Sequence, residues 1–136
     1  MTAKEYLNQL GMLEDRIRRR KKHLEALKAD ITYMKGMSYD GVRVQSSPSG
    51  ESSALKQVER IADIEAVLAR EMTEYHNMRR KITLEIEQLS DTRFQEILTD
   101  RYIERMSLQE IADEMGYSYA WIKRLHNLAL YYFTKK

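Results

Sequence analysis

Apolar side chains recur every three or four residues along two long stretches of this chain, and no proline interrupts either. In the first stretch they are Tyr6, Leu10, Leu13, Ile17, Leu24, Leu27, Ile31 and Met34. In the second they are Val58, Ile61, Leu68, Met72, Tyr75, Ile82, Ile86 and Leu89. That spacing puts each set on one stripe of an α-helix, in heptads whose seam is broken by Arg20 in the first run and by Glu65 and Arg79 in the second. A single proline, five glycines and 32% charged residues suit the same class, a mostly helical protein rather than a strand-rich one.

Between the runs lies GMSYDGVRVQSSPSGESS, residues 36 to 53, which holds the only proline and six serines. It lacks the periodic apolar residues that would offset its ordering entropy, so it reads as a mobile loop, with Val42 and Val44 as local docking points at most. Each run, about thirty residues long, would span on the order of 45 Å at the helical rise. Folding back through the loop gives a long antiparallel, coiled-coil-like hairpin over residues 1–89. Residue numbers facing each other then sum to about 90 on a shared rise per residue. This register sets Arg20 beside Glu65 and Ile17 beside Met72, so that two awkward seam charges neutralise one another. A partner helix from another chain satisfies the pattern equally well. A lone two-helix hairpin leaves much of its stripe uncovered, so self-association is expected, with a dimer favoured.

Residues 90–136 form a third region. Ser90 or Asp91 can cap a helix whose inward face is Phe94, Ile97, Leu98 and Tyr102 and which ends at Glu104 and Arg105. Ser107 and Glu110 have capping-box spacing. The short helix they open turns Leu108, Ile111, Ala112 and Met115 inward and stops at Gly116, where a left-handed cap is wanted. Ser118 can cap a last helix, about 118–133, whose inner stripe is Ile122, Leu125, either Leu128 or Ala129, and Tyr132. Two helices joined by a short glycine-bearing turn, with the small Ala112 allowing close approach, have the spacing of a helix-turn-helix.

The charge is polarised across that turn. From Tyr117 to Lys136 there are four Lys or Arg and no acid, whereas residues 104–116 carry four acids against one arginine. The cationic helix is the one that would enter a major groove. Ser118, Tyr119, Ala120, Lys123 and Arg124 point away from its apolar stripe. Ser118, Tyr119 and Lys123 suit phosphate or base-edge contacts, Arg124 can fork onto a guanine or a phosphate, and Asn127 can reach backbone or an adenine edge. Two orientations are open for Trp121, packing beneath the neighbouring helix or stacking on the groove wall. His126 can cap, pack or donate to phosphate.

The run LSDTRFQEILTDRYIERMSLQEIADEMGYSYAWIKRLHNLAL resembles region four of bacterial sigma factors, in which a lead helix precedes an S-L-x-E-I-A-x-x-x-G run and a recognition helix ending in an Ala-Leu pair, here Ala129 and Leu130. RYIERMSLQEIADEMGYS with WIKRLHNLAL, behind a long charged hairpin, also resembles phage-encoded transcriptional regulators of the ArpU and RinA type. These resemblances imply a sequence-specific regulator of phage late or packaging genes, acting on double-stranded DNA inside the bacterial host. They align Ser118, Tyr119, Ala120, Lys123 and Arg124 with recognition-helix contact positions, and they bring in RNA polymerase as a further partner. Tyr119, Ala120 and Trp121 depart from the small polar and arginine residues usual there, so no base preference is inherited. A promoter-melting region is not recognisable.

Two other functions fit the same pattern: a small terminase subunit marking phage DNA for packaging, and a coiled-coil adaptor docking on RNA polymerase without touching DNA. The basic run RIRRRKK, residues 16–22, reads as a solvated helix face or as a nonspecific phosphate-contacting patch. Enzymatic activity is not expected, because acidic pairs such as Asp113 and Glu114 lack an accompanying nucleophile, metal set or phosphate loop. With no cysteine and three isolated histidines, neither a metal site nor any other cofactor is expected. No segment reaches the ~18 apolar residues of a membrane span, and no apolar leader opens the chain, so a cytoplasmic protein is expected.

Overall fold

The computed structural model describes residues 1–39 and 48–134. The order is α1 (Ala3–Tyr39), α2 (Pro48–Glu87), α3 (Thr92–Leu98) running into a π-helical turn (Thr99–Ile103), α4 (Leu108–Met115) and α5 (Tyr119–Thr134). The chain is all-α, with no strand among the described residues. No described helix is long and apolar enough to cross a membrane.

A capping box opens α1. The Glu5 amide donates to Thr2 Oγ1 at 3.1 Å, and the Thr2 amide donates to Glu5 Oε2 at 3.3 Å. Both long helices advance into the segment read as a loop, since α1 continues to Tyr39 and α2 starts at Pro48. Proline loses nothing at a first helical position, where its missing N–H would have had no partner. Glycine and serine weaken a helix by about 1 kcal/mol or less per residue without forbidding it. The expected docking of Val42 and Val44, and whatever remains of the loop, lie outside the described residues.

The chain divides into two compact units, Asp15–Thr73 and the combination of Met1–Glu14 with Glu74–Lys136. In the first, Ile17 and Leu24 are buried between α1 and α2. The seam arginine pairs with Glu71 through two of its nitrogens, Nε to Oε1 and Nη2 to Oε2, the latter at 3.3 Å. Glu71 is a buried carboxylate, whereas Glu65, expected to face Arg20, is exposed. The antiparallel arrangement is as expected, but Glu71 lies closer than Glu65 to the register that puts residue 20 opposite the low seventies. Arg20→Ala is expected to destabilise this unit by roughly 1–3 kcal/mol, because a buried carboxylate would lose its charged donor. Replacing both residues with leucine should recover most of that loss in urea titrations. A single variant as stable as the parent would show that the pair contributes nothing.

The second unit has one continuous core. Leu7 and Leu10 from α1 and Ile82, Ile86 and Leu89 around the end of α2 join Phe94, Ile97, Leu98, Tyr102, Ile103, Ile111, Ala112, Ile122, Leu125 and Ala129. The end segments of the two long helices thus complete the core on which α3, α4 and α5 sit. Polar contacts tie the same elements together: the Tyr6 hydroxyl donates to Glu85 Oε1, and Tyr6 stacks on Phe133 at 6.1 Å. Burial, reinforced by the Glu85 carboxylate, pushes the Tyr6 hydroxyl up to about 12. Arg79 pairs with Glu104 at 3.6 Å, and Arg105 with Glu14 at 3.6 Å.

After α2 the Gln95 amide donates to the Leu89 carbonyl at 2.5 Å, satisfying an acceptor the helix leaves free. Of the two candidate caps, Asp91 takes the role, accepting from the Arg93 amide at 2.9 Å. Its bond to the Arg93 guanidinium holds its carboxyl below the usual range. The lead helix does not end as a plain α-helix. It widens into the π turn, and Arg105 then adopts a left-handed φ of 60°. Bonds from the Met106 amide to the Asp100 carbonyl at 2.8 Å and from Arg101 Nη1 to the Met106 carbonyl at 3.0 Å hold that reversal.

Candidate nucleic-acid interface

Ser107 and Glu110 form the capping box that starts α4, the Glu110 amide donating to Ser107 Oγ at 3.1 Å and the Ser107 amide to Glu110 Oε1 at 3.4 Å. Gly116 ends the helix at φ 73°, and the Tyr117 amide donates back to the Ala112 carbonyl at 3.0 Å. That left-handed residue reverses the chain within a few positions, so α5 starts almost at once. An added Cβ at Gly116 would meet nothing within 4 Å, so the requirement for glycine is one of backbone angle rather than space. Gly116→Val is accordingly expected to cost about 1–3 kcal/mol, and Gly116→Asn distinctly less, since asparagine tolerates the left-handed region. Equal melting temperatures for both variants and the parent would refute the assigned role.

Ser118 caps α5, its Oγ accepting from the Trp121 amide at 3.1 Å. Ile122, Leu125, His126 and Ala129 are the buried residues of this helix. Ala129 takes the inward position rather than Leu128, which is 44% exposed. Tyr132, expected on the inner stripe, is half exposed and stacks on Phe94 at 5.6 Å, while Phe133 packs against the core. A period of 3.6 residues separates these neighbours by about 100°, so either could close the stripe until the position of α1 is known. The contact between Tyr6 and Phe133 settles it.

His126 is buried, bonded to the Tyr102 hydroxyl at 2.8 Å and stacked on its ring. Of its three roles the structure selects packing. Burial, helped by the charges of Arg101 and Lys4, pushes the imidazole down to about 4, so it is neutral at physiological pH. Trp121 is not packed beneath a neighbouring helix. It is 38% exposed and lines a shallow surface groove with Arg124, Asn127, Leu128 and Tyr131.

The six candidate contact residues, Ser118, Tyr119, Ala120, Lys123, Arg124 and Asn127, are all exposed. They share one solvent-facing side of α5 but fall into two groups. Lys123 Nζ lies 5.4 Å from the centroid of the Tyr119 ring, a cation–π pair that holds the ammonium beside the helix start. Arg124 and Asn127 belong to the groove. Ser118 already has its oxygen engaged as a cap, leaving its hydroxyl proton available to donate. The acids of α4, Glu110, Asp113 and Glu114, are exposed on the preceding helix. The arrangement is a short capped helix that props a longer, acid-free one against solvent, with forked and amide donors on its outer side.

Residues 86–131 match the family model for sigma-70, region 4. The match covers about a third of the chain, and sigma-70 region 4 is a DNA-binding helix-turn-helix domain. Within the matched residues, α4, the turn at Gly116 and α5 follow one another in the order of a helix-turn-helix. Domains of this family bind DNA and contact RNA polymerase. No curated protein and no solved structure gives a match to this chain. The region 4 match takes in the end of α2 as well as α3 to α5. Sequence spacing did not reveal the Trp121 groove, because whether Leu128 or Ala129 turns inward decides whether the groove exists.

Proposed function

We propose that this chain is a sequence-specific regulator of transcription that lays the start of α5 in the major groove of double-stranded DNA. The observation that carries this reading is the exposed side of the region 4 recognition helix, where Tyr119, Ala120, Lys123 and Arg124 stand clear of the core with no acid on the helix. A sixteen-residue helix, Tyr119–Thr134, is long enough to lie along the groove while its buried face, Ile122, Leu125, His126 and Ala129, stays on the protein. In this reading Lys123 meets phosphate from its tyrosine support, Arg124 reads a base edge, and Asn127 takes an adenine edge or backbone.

The same reading gives residues 1–89 the work of assembly and residues 90–136 that of recognition. Linked heads then favour a repeated or palindromic target, since half-site spacing follows protein symmetry. The resemblance to ArpU and RinA regulators supports a phage or prophage setting and late or packaging genes as the controlled set. RNA polymerase is a second partner in keeping with the domain family.

Arg124→Ala is expected to weaken binding to a selected duplex by about 1–3 kcal/mol and to relax preference at one position of the site. Quantitative footprinting on that duplex and on a single-base variant measures both effects. An unchanged footprint, affinity and preference would reject the assigned role.

A further inference from the structure

The groove beside Arg124 is chemically unlike the rest of the outer side of α5. Trp121, Leu128 and Tyr131 supply its apolar surface, at 38%, 44% and 53% exposure, and Arg124 and Asn127 are its polar lining residues. Trp121, Arg124 and Leu128 follow one another at spacings of three and four, so they run as one ridge along the helix. Lys123, held on Tyr119, lies on the other flank. One flank thus offers a cation, and the other an apolar wall with a guanidinium and an amide beside it.

A major groove presents few apolar features. The C5 methyl of thymine is the one that a base pair offers there, flanked by the N7 and O6 acceptors of guanine or by the N7 acceptor and N6 donor of adenine. From the juxtaposition of Trp121 and Leu128 with Arg124 and Asn127, we infer that this groove is a thymine-reading site, which seats a C5 methyl against the Trp121–Leu128 wall while Arg124 or Asn127 bonds the adjoining purine. This deepens, and rests on, the reading of α5 as the helix that enters DNA. Trp121 and Leu128 are then specificity determinants. An apolar protein helix would fill such a groove without needing the forked guanidinium and the amide, and every residue from 117 to 136 is free of the negative charge that would repel a duplex.

The test uses the full chain and a duplex selected from random DNA. Each thymine of the selected site is replaced in turn by deoxyuridine, which removes the methyl and nothing else, and affinity is read by fluorescence anisotropy. At one or two positions affinity should fall about fourfold, the effect of one buried methyl. 5-Methylcytosine placed there in a cytosine-bearing duplex should restore part of the loss. Trp121→Ala and Leu128→Ala should each shrink the thymine-to-uracil ratio toward one while leaving the helical signal and melting temperature unchanged, as both side chains are exposed. A ratio of one at every position in the parent overturns the inference while leaving specific DNA binding in place. So does a Trp121→Ala variant that binds all sequences more weakly at an undiminished ratio, which assigns the indole to the sugar-phosphate wall. The same holds if both variants keep the ratio but lose binding to RNA polymerase, which assigns the groove to a protein. Failure to select any duplex removes the proposed function itself, and this inference with it.

Discussion

Ile122→Ala is expected to destabilise the region 4 module by about 2–5 kcal/mol, the usual range for truncating a buried isoleucine. Ile122 has no exposed surface and belongs to the core that also holds Ile111 and Ala112 of α4. Those two residues belong to the helix that packs on α5, so truncating Ile122 removes apolar contact within that shared core. A loss of that size is a large fraction of the stability of an ordinary small domain. DNA binding should therefore fail at temperatures where the parent still binds, although no candidate contact residue has been touched. Thermal unfolding followed at the single tryptophan, Trp121, on α5 itself, checks this directly. Ile122→Val should cost about 1 kcal/mol at most and retain binding. A melting temperature for Ile122→Ala within a degree of the parent's would mean that the helix does not rest on this residue.

Acidification is expected to remove about 3 kcal/mol of stability between pH 6.5 and about 4, through His126. The imidazole of the folded chain resists protonation because it is buried against Tyr102, with Arg101 and Lys4 adding repulsion. The unfolded chain takes up the proton near the ordinary value of 6.5. In that window the unfolded state therefore binds more protons, so stability falls as pH falls. The loss is complete below the folded value, and above pH 6.5 the full contribution is present. Asp100 works in the opposite direction: burial raises its carboxyl, helped by the neighbouring acids Glu114, Glu96 and Glu104, so its protonation at low pH relieves a cost. His126→Gln, which keeps a polar partner for the Tyr102 hydroxyl without titrating, separates the two. The difference between parent and variant in unfolding free energy should grow from low to neutral pH across the window. Parallel curves would show that His126 titrates normally.

Local rules made most of the region 4 module legible. Ser107 with Glu110, Gly116 and Ser118 each act within a few residues of themselves, and each does in the structure what its spacing implies. Where the sequence misled, the cause was distant. Tyr132 was expected inward, but Phe133 packs on the core beside Tyr6 and Tyr132 stacks on Phe94, partners that lie far away along the chain. Trp121, a residue type usually buried, is displayed because Ile122 and Leu125 already fill the space beneath α5. In the long helices the seam pattern gave the antiparallel pairing, but Arg20 reaches past the strict seam to Glu71, which an apolar count does not register. The sharing of core between the module and the ends of α1 and α2 was hidden for a related reason. Leu7, Leu10, Ile82 and Ile86 carry the same heptad signature whether they meet one another or a third element.

The outward side of α5 is tested most directly by where it touches DNA. The chain has no cysteine, so Ala120→Cys introduces a single thiol on the exposed side of the helix, and Leu84→Cys places one at an exposed position on α2. Each is coupled to a photoreactive group and irradiated on a selected duplex labelled at its bases. Cross-links to major-groove base positions from residue 120, with none from residue 84, are the expected result. Retained binding with no base cross-link from residue 120, or an equal yield from both positions, would contradict it.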